Sequence, residues 1–346
     1  MLRSPDGGPV KIDAPLMVSE IAAGGPRAAE IERQGFAAAW SFEGPHDPFY
    51  PLVTAAEQTS RIELGTAIAV AFARNPMICA HIGWDLQAHS KGRFILGLGT
   101  QIRPHIVKRF SQEWSKPAAR MREFALAIRA IWACWEGDGR LDFHGEFYNH
   151  TLMTPVFNPG PNPFGTPLLF VAGVGPKMVE AVGEVADGLF VHPFHSPEFL
   201  EADTLPALTR GLAIGGRKRE SFQISCQNIV AIGSNDEQIA TARQKAKGQL
   251  SFYGSTPAYR GVLDLHGYGD LQPELNRMSK AGKWLEMITK IDDDLFDILA
   301  VSGTPAQAGE KLARRNTFAD RTTLMLYNET EAEAVTDLIA AAQGTV

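Results

Sequence analysis

Apolar and polar positions run along this chain in two alternating rhythms. Short runs rich in apolar and β-branched residues are followed by longer stretches whose apolar positions recur every three to four residues. That alternation marks strand–helix units on a parallel sheet. "APLMV" (14–18) leads to "GPRAAEIERQG" (25–35), where Pro26 suits a first helical turn and Gly35 a C-terminal stop. "FAAAWSF" (36–42) leads to "PLVTAAEQTS" (51–60), and "RIELGTAIAV" (61–70) to "NPMICAHIGWDLQAHS" (75–90). "RFILGLG" (93–99) leads to the long helix "PAARMREFALAIRAIWACWE" (117–136).

The rhythm then breaks. Residues 137–165 are rich in Gly, Pro and aromatics and read as an ordered excursion. It resumes with strands at 166–173, 187–193 and 221–233, each followed by a helix. Residues 253–302 form a second excursion, before a helix near 304–315, the strand "TTLMLY" (322–327) and a last helix near 330–343. About eight strand–helix units predict a single domain over 1–346, a (β/α)8 TIM barrel with insertions after strands 4 and 7. No GxGxxG stands at the first strand, which disfavours a dinucleotide-binding doubly wound sheet.

Composition narrows the class of partner. A chain of 346 residues with 45% apolar content can bury a sizeable core. A net charge of −6 argues against nucleic acid, which needs a basic excess. Cys79, Cys134 and Cys226 lie far apart in apolar stretches and read as buried thiols. No apolar run approaches the roughly 20 residues of a membrane span. The N-terminus shows no apolar segment of a secretory signal, so a cytoplasmic protein is the expectation.

In a barrel of this class the active site lies at the C-terminal ends of the strands. After 36–42 come Glu43, His46 and Asp47; a carboxylate beside an imidazole suits acid/base work, and Asp47 also suits a turn. Gly97 and Gly99 leave clearance for a flat molecule, with Thr100, Gln101, Arg103 and His105 as a rim. Gly173, Val174 and Gly175 precede Pro176 at a helix start, where free N–H groups suit a phosphate. His192 and His195 follow the next strand; without a carboxylate nearby they are a weak metal signal, and His192 suits pocket lining. No metal is expected. The aromatics Phe143, Phe147, Tyr148, Phe157, Phe164, Tyr253 and Tyr259 in or beside the excursions read as a roof over the pocket.

"EIERQGFAAAW", "TSRIELGT", "HSKGRFILGLGT", "HGEFY", "VAGVGPKM" and "EVADGLFVHPF" resemble the luciferase-like superfamily of flavin- and deazaflavin-dependent oxidoreductases over nearly the whole chain. "AVAFARNPM", "GLGTQIRPHIVKRF" and "FYGSTPAYRGVLDLHGYGDL" resemble its coenzyme F420-dependent subgroup. The resemblance implies a cofactor ring at the strand C-termini, a bulge with a cis peptide at Ala67 and Ile68, and a phosphate cradle at Gly173, Val174 and Gly175. It also favours a homodimer. Two positions depart from the pattern of the deazaflavin sugar-phosphate dehydrogenases: Glu43 stands where they carry a histidine, and Thr100-Gln101-Ile102 where they carry a glutamate. Their substrate chemistry is therefore not implied.

The reading is an oxidoreductase moving a hydride between coenzyme F420 and a small organic substrate. Glu43 and His46 are the candidates for proton handling. Ala67, Ile68, Gly99, Thr100, Gln101, His105, Gly173, Val174, Gly175 and His192 are the candidates for holding the cofactor. An FMN-dependent monooxygenase is the alternative, and a non-catalytic sensor barrel a third. The basic run Arg103, His105, Lys108, Arg109, Lys116, Arg120 and Arg122 leans toward F420, whose tail is a longer anion than that of FMN.

Overall fold

The computed structural model describes residues 9–315, 317–328 and 330–344. Eight parallel strands close into a ring: β1 Lys11–Pro15, β2 Ala38–Ser41, β3 Glu63–Thr66, β4 Phe94–Gly99, β5 Leu168–Ala172, β6 Gly188–Val191, β7 Gln223–Ile232 and β8 Arg321–Leu326. Each pairs with the next, and β8 returns to β1 with Lys11 opposite Arg321. Around the ring stand α1 Gly24–Arg33, α2 Tyr50–Gln58, α3 Pro76–His89, α4 Pro117–Glu136, α5 Pro176–Val185, α6 Leu205–Ile214, α7 Asp236–Gly254, α8 Pro305–Arg315 and α9 Ala332–Gln343. This is a (β/α)8 barrel. Local chemistry sets the helix starts: Asn75 caps α3 by accepting from the Met77 N–H at 2.9 Å, with Pro76 in the first turn. No helix among the described residues is long and apolar enough to cross a membrane.

The barrel interior has a charged end and an apolar middle. At the N-terminal end of the strands, Arg321 forks onto Asp13, Nε to Oδ2 at 2.8 Å and a terminal N–H to Oδ1 at 2.9 Å. Its other arm meets Glu63 at 2.5 Å, and Lys11 meets Glu63 at 3.0 Å. The Trp40 indole donates to Asp13 at 3.1 Å. Arg321 and Asp13 are wholly buried. Burial works against the guanidinium charge, but Asp13 and Glu63 outweigh it and hold Arg321 above the ordinary arginine pKa. Above this layer Trp40, Phe170 and Phe190 fill the barrel, with Trp40 edge-on to Phe190 at 5.2 Å.

Three expectations change. The first strand is Lys11–Pro15, not 14–18. Its inward residue Asp13 is ion-paired inside the barrel, and Lys11 at its exposed start pairs with Glu63, so apolarity does not mark it. Residues 300–303, read as excursion, form a further parallel strand on β7. Strand β7 spans ten residues but pairs with β6 only through Cys226, which leaves its upper edge for Ala300–Gly303. The first excursion, finally, does not roof the barrel.

Its hairpin (Phe143–His144 with Asn149–His150) is held against α4 by Glu123, which accepts from the N–H groups of Glu146, Phe147 and Tyr148 at 2.6–2.8 Å. Phe143, Phe147 and Tyr148 pack into the main core. Residues 158–164 then run along α3, where Trp84 donates to the Gly160 carbonyl and Gln87 to that of Phe164. Phe157 and Phe164 face outward, 70% and 45% exposed.

A buried ion pair adds little net stability against a well-packed apolar pair, but removing one partner strands the other charge. Arg321→Met is expected to lower unfolding stability by about 3–5 kcal/mol in urea titration. The double variant Arg321→Met/Asp13→Leu is expected to regain much of that loss. A single variant as stable as the wild type would show that the pair does not hold the ring closed.

Candidate active site

The site is built at the C-terminal mouth, beginning with the chain after β3. Leu64 and Gly65 pair with Phe94 and Ile95, and the next pairs are Ala69 with Leu98 and Val70 with Gly99. Between Gly65 and Ala69 there is one residue more than between Ile95 and Leu98, so the edge carries a bulge. Within it the Ala67–Ile68 peptide bond is cis. Thr66 brackets Gly97, its hydroxyl donating to the Gly97 carbonyl at 2.6 Å and accepting from the Gly97 N–H at 3.0 Å.

Glu43 fixes the far side of the bulge. Its N–H donates to the Ile68 carbonyl at 3.0 Å, and its carboxylate accepts from the Val70 N–H at 2.7 Å. The same carboxylate pairs with Arg74, which also meets Asp47 at 2.8 Å and the Val70 carbonyl at 3.1 Å. Burial works against the Arg74 charge, but Glu43 and Asp47 outweigh it and raise its pKa. The expected partnership of Glu43 with His46 is not formed. His46 is exposed, and among the described residues no hydrogen bond or ion pair joins the two. Arg74 was missed because it lies 31 residues beyond Glu43 and only the bulge brings them together.

The glycines divide into two kinds. A Cβ at Gly97 would lie 1.6 Å from the Thr66 carbonyl oxygen, and one at Gly99 2.9 Å from the Ile68 side chain. Both glycines make room for the bulge, not directly for a ligand, which corrects the expected open floor. Gly175 is different: its φ is +77° and a Cβ there would meet nothing within 4 Å. It opens α5, and among the described residues the N–H groups of Val174, Gly175, Lys177 and Met178 have no acceptor. Gly173 does not share this freedom, since its N–H points to the Phe190 carbonyl at 3.4 Å.

On the opposite rim, Gln101 sits at φ +60°, an uncommon conformation for a side-chain-bearing residue. Its side-chain oxygen accepts from the Ile102 N–H at 3.0 Å, and the Thr100 hydroxyl donates to the Gln101 carbonyl at 2.9 Å. His105 opens a π-helical turn, His105–Arg109, and is exposed. Much of the basic run is already engaged. Arg109 donates to the Gly44 carbonyl at 2.8 Å, Lys116 pairs with Glu146, Arg120 holds the Tyr148 hydroxyl at 2.8 Å, and Arg122 forks onto Glu184. Arg103, His105 and Lys108 are exposed and have no such partners among the described residues. Beyond β1 and β2 stand Met17 and Phe42, 58% and 42% exposed, whose place in single loops gave no sequence signal.

His192 follows β6 and continues the alternation that turns Gly188 and Phe190 inward. Its ring stacks on Tyr259 at 4.1 Å and meets Tyr253 edge-on at 4.6 Å. His195 is buried and donates from Nδ1 to the His192 carbonyl at 2.9 Å. Among the described residues no three His, Cys, Asp or Glu side chains gather as a metal site. All three cysteines are buried, and burial pushes Cys79 and Cys226 up to about 12.

The model of the luciferase-like monooxygenase family matches residues 10–321. The chain belongs to this family. An uncharacterised protein of Mycobacterium tuberculosis is 54% identical over 294 residues, 85% of this chain and 86% of that one. A putative coenzyme F420-dependent oxidoreductase of the same organism is 29% identical over 327 residues, 90% of this chain and 92% of its own. Among solved structures, the coenzyme F420-dependent tetrahydromethanopterin reductase from Methanopyrus kandleri superposes with a TM-score of 0.78 at 19% identity, over 97% of this chain and 98% of that one. A type II Baeyer-Villiger monooxygenase component of Pseudomonas putida, solved in complex with FMN, shares the fold with a TM-score of 0.67 at 14% identity, over 97% of this chain and 99% of that one.

Two outcomes follow from the luciferase-like mouth. Glu43→Gln and Arg74→Met are each expected to lower the unfolding midpoint, and a double-mutant cycle should return a coupling of about 0.5–3 kcal/mol. Strict additivity would separate the two residues. Burial also lowers His192 and His195 to about 3, so both are neutral in the fold at neutral pH. An unfolded imidazole protonates near about pH 6.5. Between those values the unfolded chain binds protons that the folded chain refuses, so stability falls as the pH drops. Urea midpoints are expected to decline from about pH 7 to about pH 4, with a shallower slope in His195→Asn. Equal slopes would contradict the neutral assignment of His195.

Proposed function

We propose that this protein moves a hydride between coenzyme F420 and a small organic substrate at the barrel mouth. The observation that carries the reading is the cradle at Gly175: free N–H groups at the start of α5, with space where a Cβ would stand. Backbone N–H groups and the helix dipole favour an anion there. Lys177 is exposed beside them. The residues present fit a phosphate-bearing ring cofactor. Val174, Gly175, Lys177 and Met178 would hold the phosphate, and the bulge at Ala67 and Ile68 would back the ring. Arg103, His105 and Lys108 offer cations for a longer anionic tail, and Thr100 and Gln101 shape that rim.

Bound deazaflavin supplies or accepts the hydride; the protein supplies position and a water-poor pocket. Glu43, held by Arg74, keeps the bulge in place. His46, exposed on the same loop, is the candidate for proton handling. One observation favours FMN instead: with Arg109, Lys116, Arg120 and Arg122 engaged, the cations available to a long tail are fewer than the sequence promised.

Fluorescence titrations with coenzyme F420 and with FMN, side by side, test the reading. F420 is expected to bind at least about tenfold more tightly, and Gly175→Val to weaken it by about tenfold or more while circular dichroism reports an intact barrel. Tighter binding of FMN, or unchanged F420 affinity in a folded Gly175→Val, would overturn it.

A further inference from the structure

The mouth has a second wall that the cofactor cradle does not use. His192 stands just past β6, Tyr253 lies in the last turn of α7, Tyr259 follows in the second excursion, and Tyr327 stands just past β8. Tyr253, Tyr259 and Tyr327 are half-buried against one apolar cluster. Burial raises the pKa of the Tyr253 and Tyr327 hydroxyls, so both stay protonated.

Within this wall the imidazole is fixed in one tautomer. The Phe194 N–H donates to Nδ1 of His192 at 3.1 Å, so a neutral ring carries its proton on Nε2. Stacking on Tyr259 and the edge contact with Tyr253 fix the ring plane. Among the described residues Nε2 has no acceptor, and the residue is only half-buried. Among the described residues no lysine or arginine makes an ion pair or hydrogen bond with His192, Tyr253, Tyr259 or Tyr327. The nearby Arg315 is turned away, donating to the carbonyls of His195 at 3.1 Å and Ile298 at 2.7 Å. The wall therefore offers a neutral donor among aromatic faces and no cation.

We propose that His192 donates its Nε2–H to the carbonyl oxygen of an uncharged, apolar ketone or aldehyde substrate, with Tyr253 and Tyr259 flanking the substrate's apolar body. The proposal rests on reading this mouth as a hydride-transfer site. Burial keeps the ring neutral, so it serves as a fixed hydrogen-bond donor and not as an acid that empties near neutral pH. Such a donor strengthens as charge gathers on the oxygen when the carbonyl carbon receives a hydride. An anionic substrate finds nothing on this wall to pair with its charge.

The test uses the full chain and acetophenone labelled with 13C at the carbonyl. In wild type and in His192→Gln, which keeps an N–H donor, the bound carbonyl resonance is expected to move downfield from its position in free ligand. In His192→Phe, which keeps an aromatic ring and removes the donor, the shift is expected to vanish and affinity to fall by about tenfold. A merely structural histidine would change the unfolding midpoint but leave the carbonyl shift in place. The same downfield shift in all three proteins, or no binding of acetophenone to wild type, would overturn the proposal. Titration of wild type with coenzyme F420 tests the proposed function separately, since the carbonyl shift is read on the protein with or without cofactor.

Discussion

The fork of Arg321 onto Asp13 crosses the seam where the last strand meets the first, and the rest of the barrel depends on it. A ring of strands can close in more than one register. Here Lys11 must stand opposite Arg321, because only that alignment brings Asp13 and Glu63 to the guanidinium deep in the floor. A slip of one residue would turn Arg321 outward and strand two carboxylates inside. The net free energy of such a pair is small, and its specificity is large. With the floor filled by charge and the middle by Trp40, Phe170 and Phe190, the space for chemistry lies at the other end.

At that end, one extra residue does much of the shaping. The bulge after β3 carries Ala67 and Ile68 over β4, so Gly97 and Gly99 must be glycine to let it pass. Glu43 and Arg74 hold the bulge from behind through the Val70 amide and carbonyl. A carboxylate that looked like an acid/base group from its place after a strand is occupied in holding backbone. The two walls of the mouth then differ in kind: unpaired amides beside Gly175 on one, neutral aromatic donors around His192 on the other. That asymmetry suits an anionic cofactor facing an uncharged substrate.

Much of this was legible in the chain. The strand–helix alternation gave the barrel, and the run from Gly173 to Pro176 marked a helix start with free amides. What escaped had physical causes. The first strand was hidden because its inward Asp13 is acidic and its first residue, Lys11, is an exposed cation, and polarity inside a barrel looks like polarity outside it. Arg74 and Glu43 are distant in sequence and meet only through the bulge. Residues 300–303 pair with an edge that exists because β7 outruns β6. The first excursion looked like a roof because it is aromatic, yet Phe143, Phe147 and Tyr148 pack on the main core while Phe157 and Phe164 face outward. His192 was visible as a strand-end histidine, but its tautomer depends on the Phe194 amide, which no spacing encodes.

The central claim is that the C-terminal mouth, and no other surface, receives the cofactor. Hydrogen–deuterium exchange of the full chain with and without coenzyme F420 tests it most directly. The account predicts slowed exchange at residues 66–70, 99–101 and 174–178 on binding, with the floor around Asp13 and Arg321 unchanged. Protection confined to another surface, such as the cleft between Glu198, Lys311 and Arg315, would contradict it.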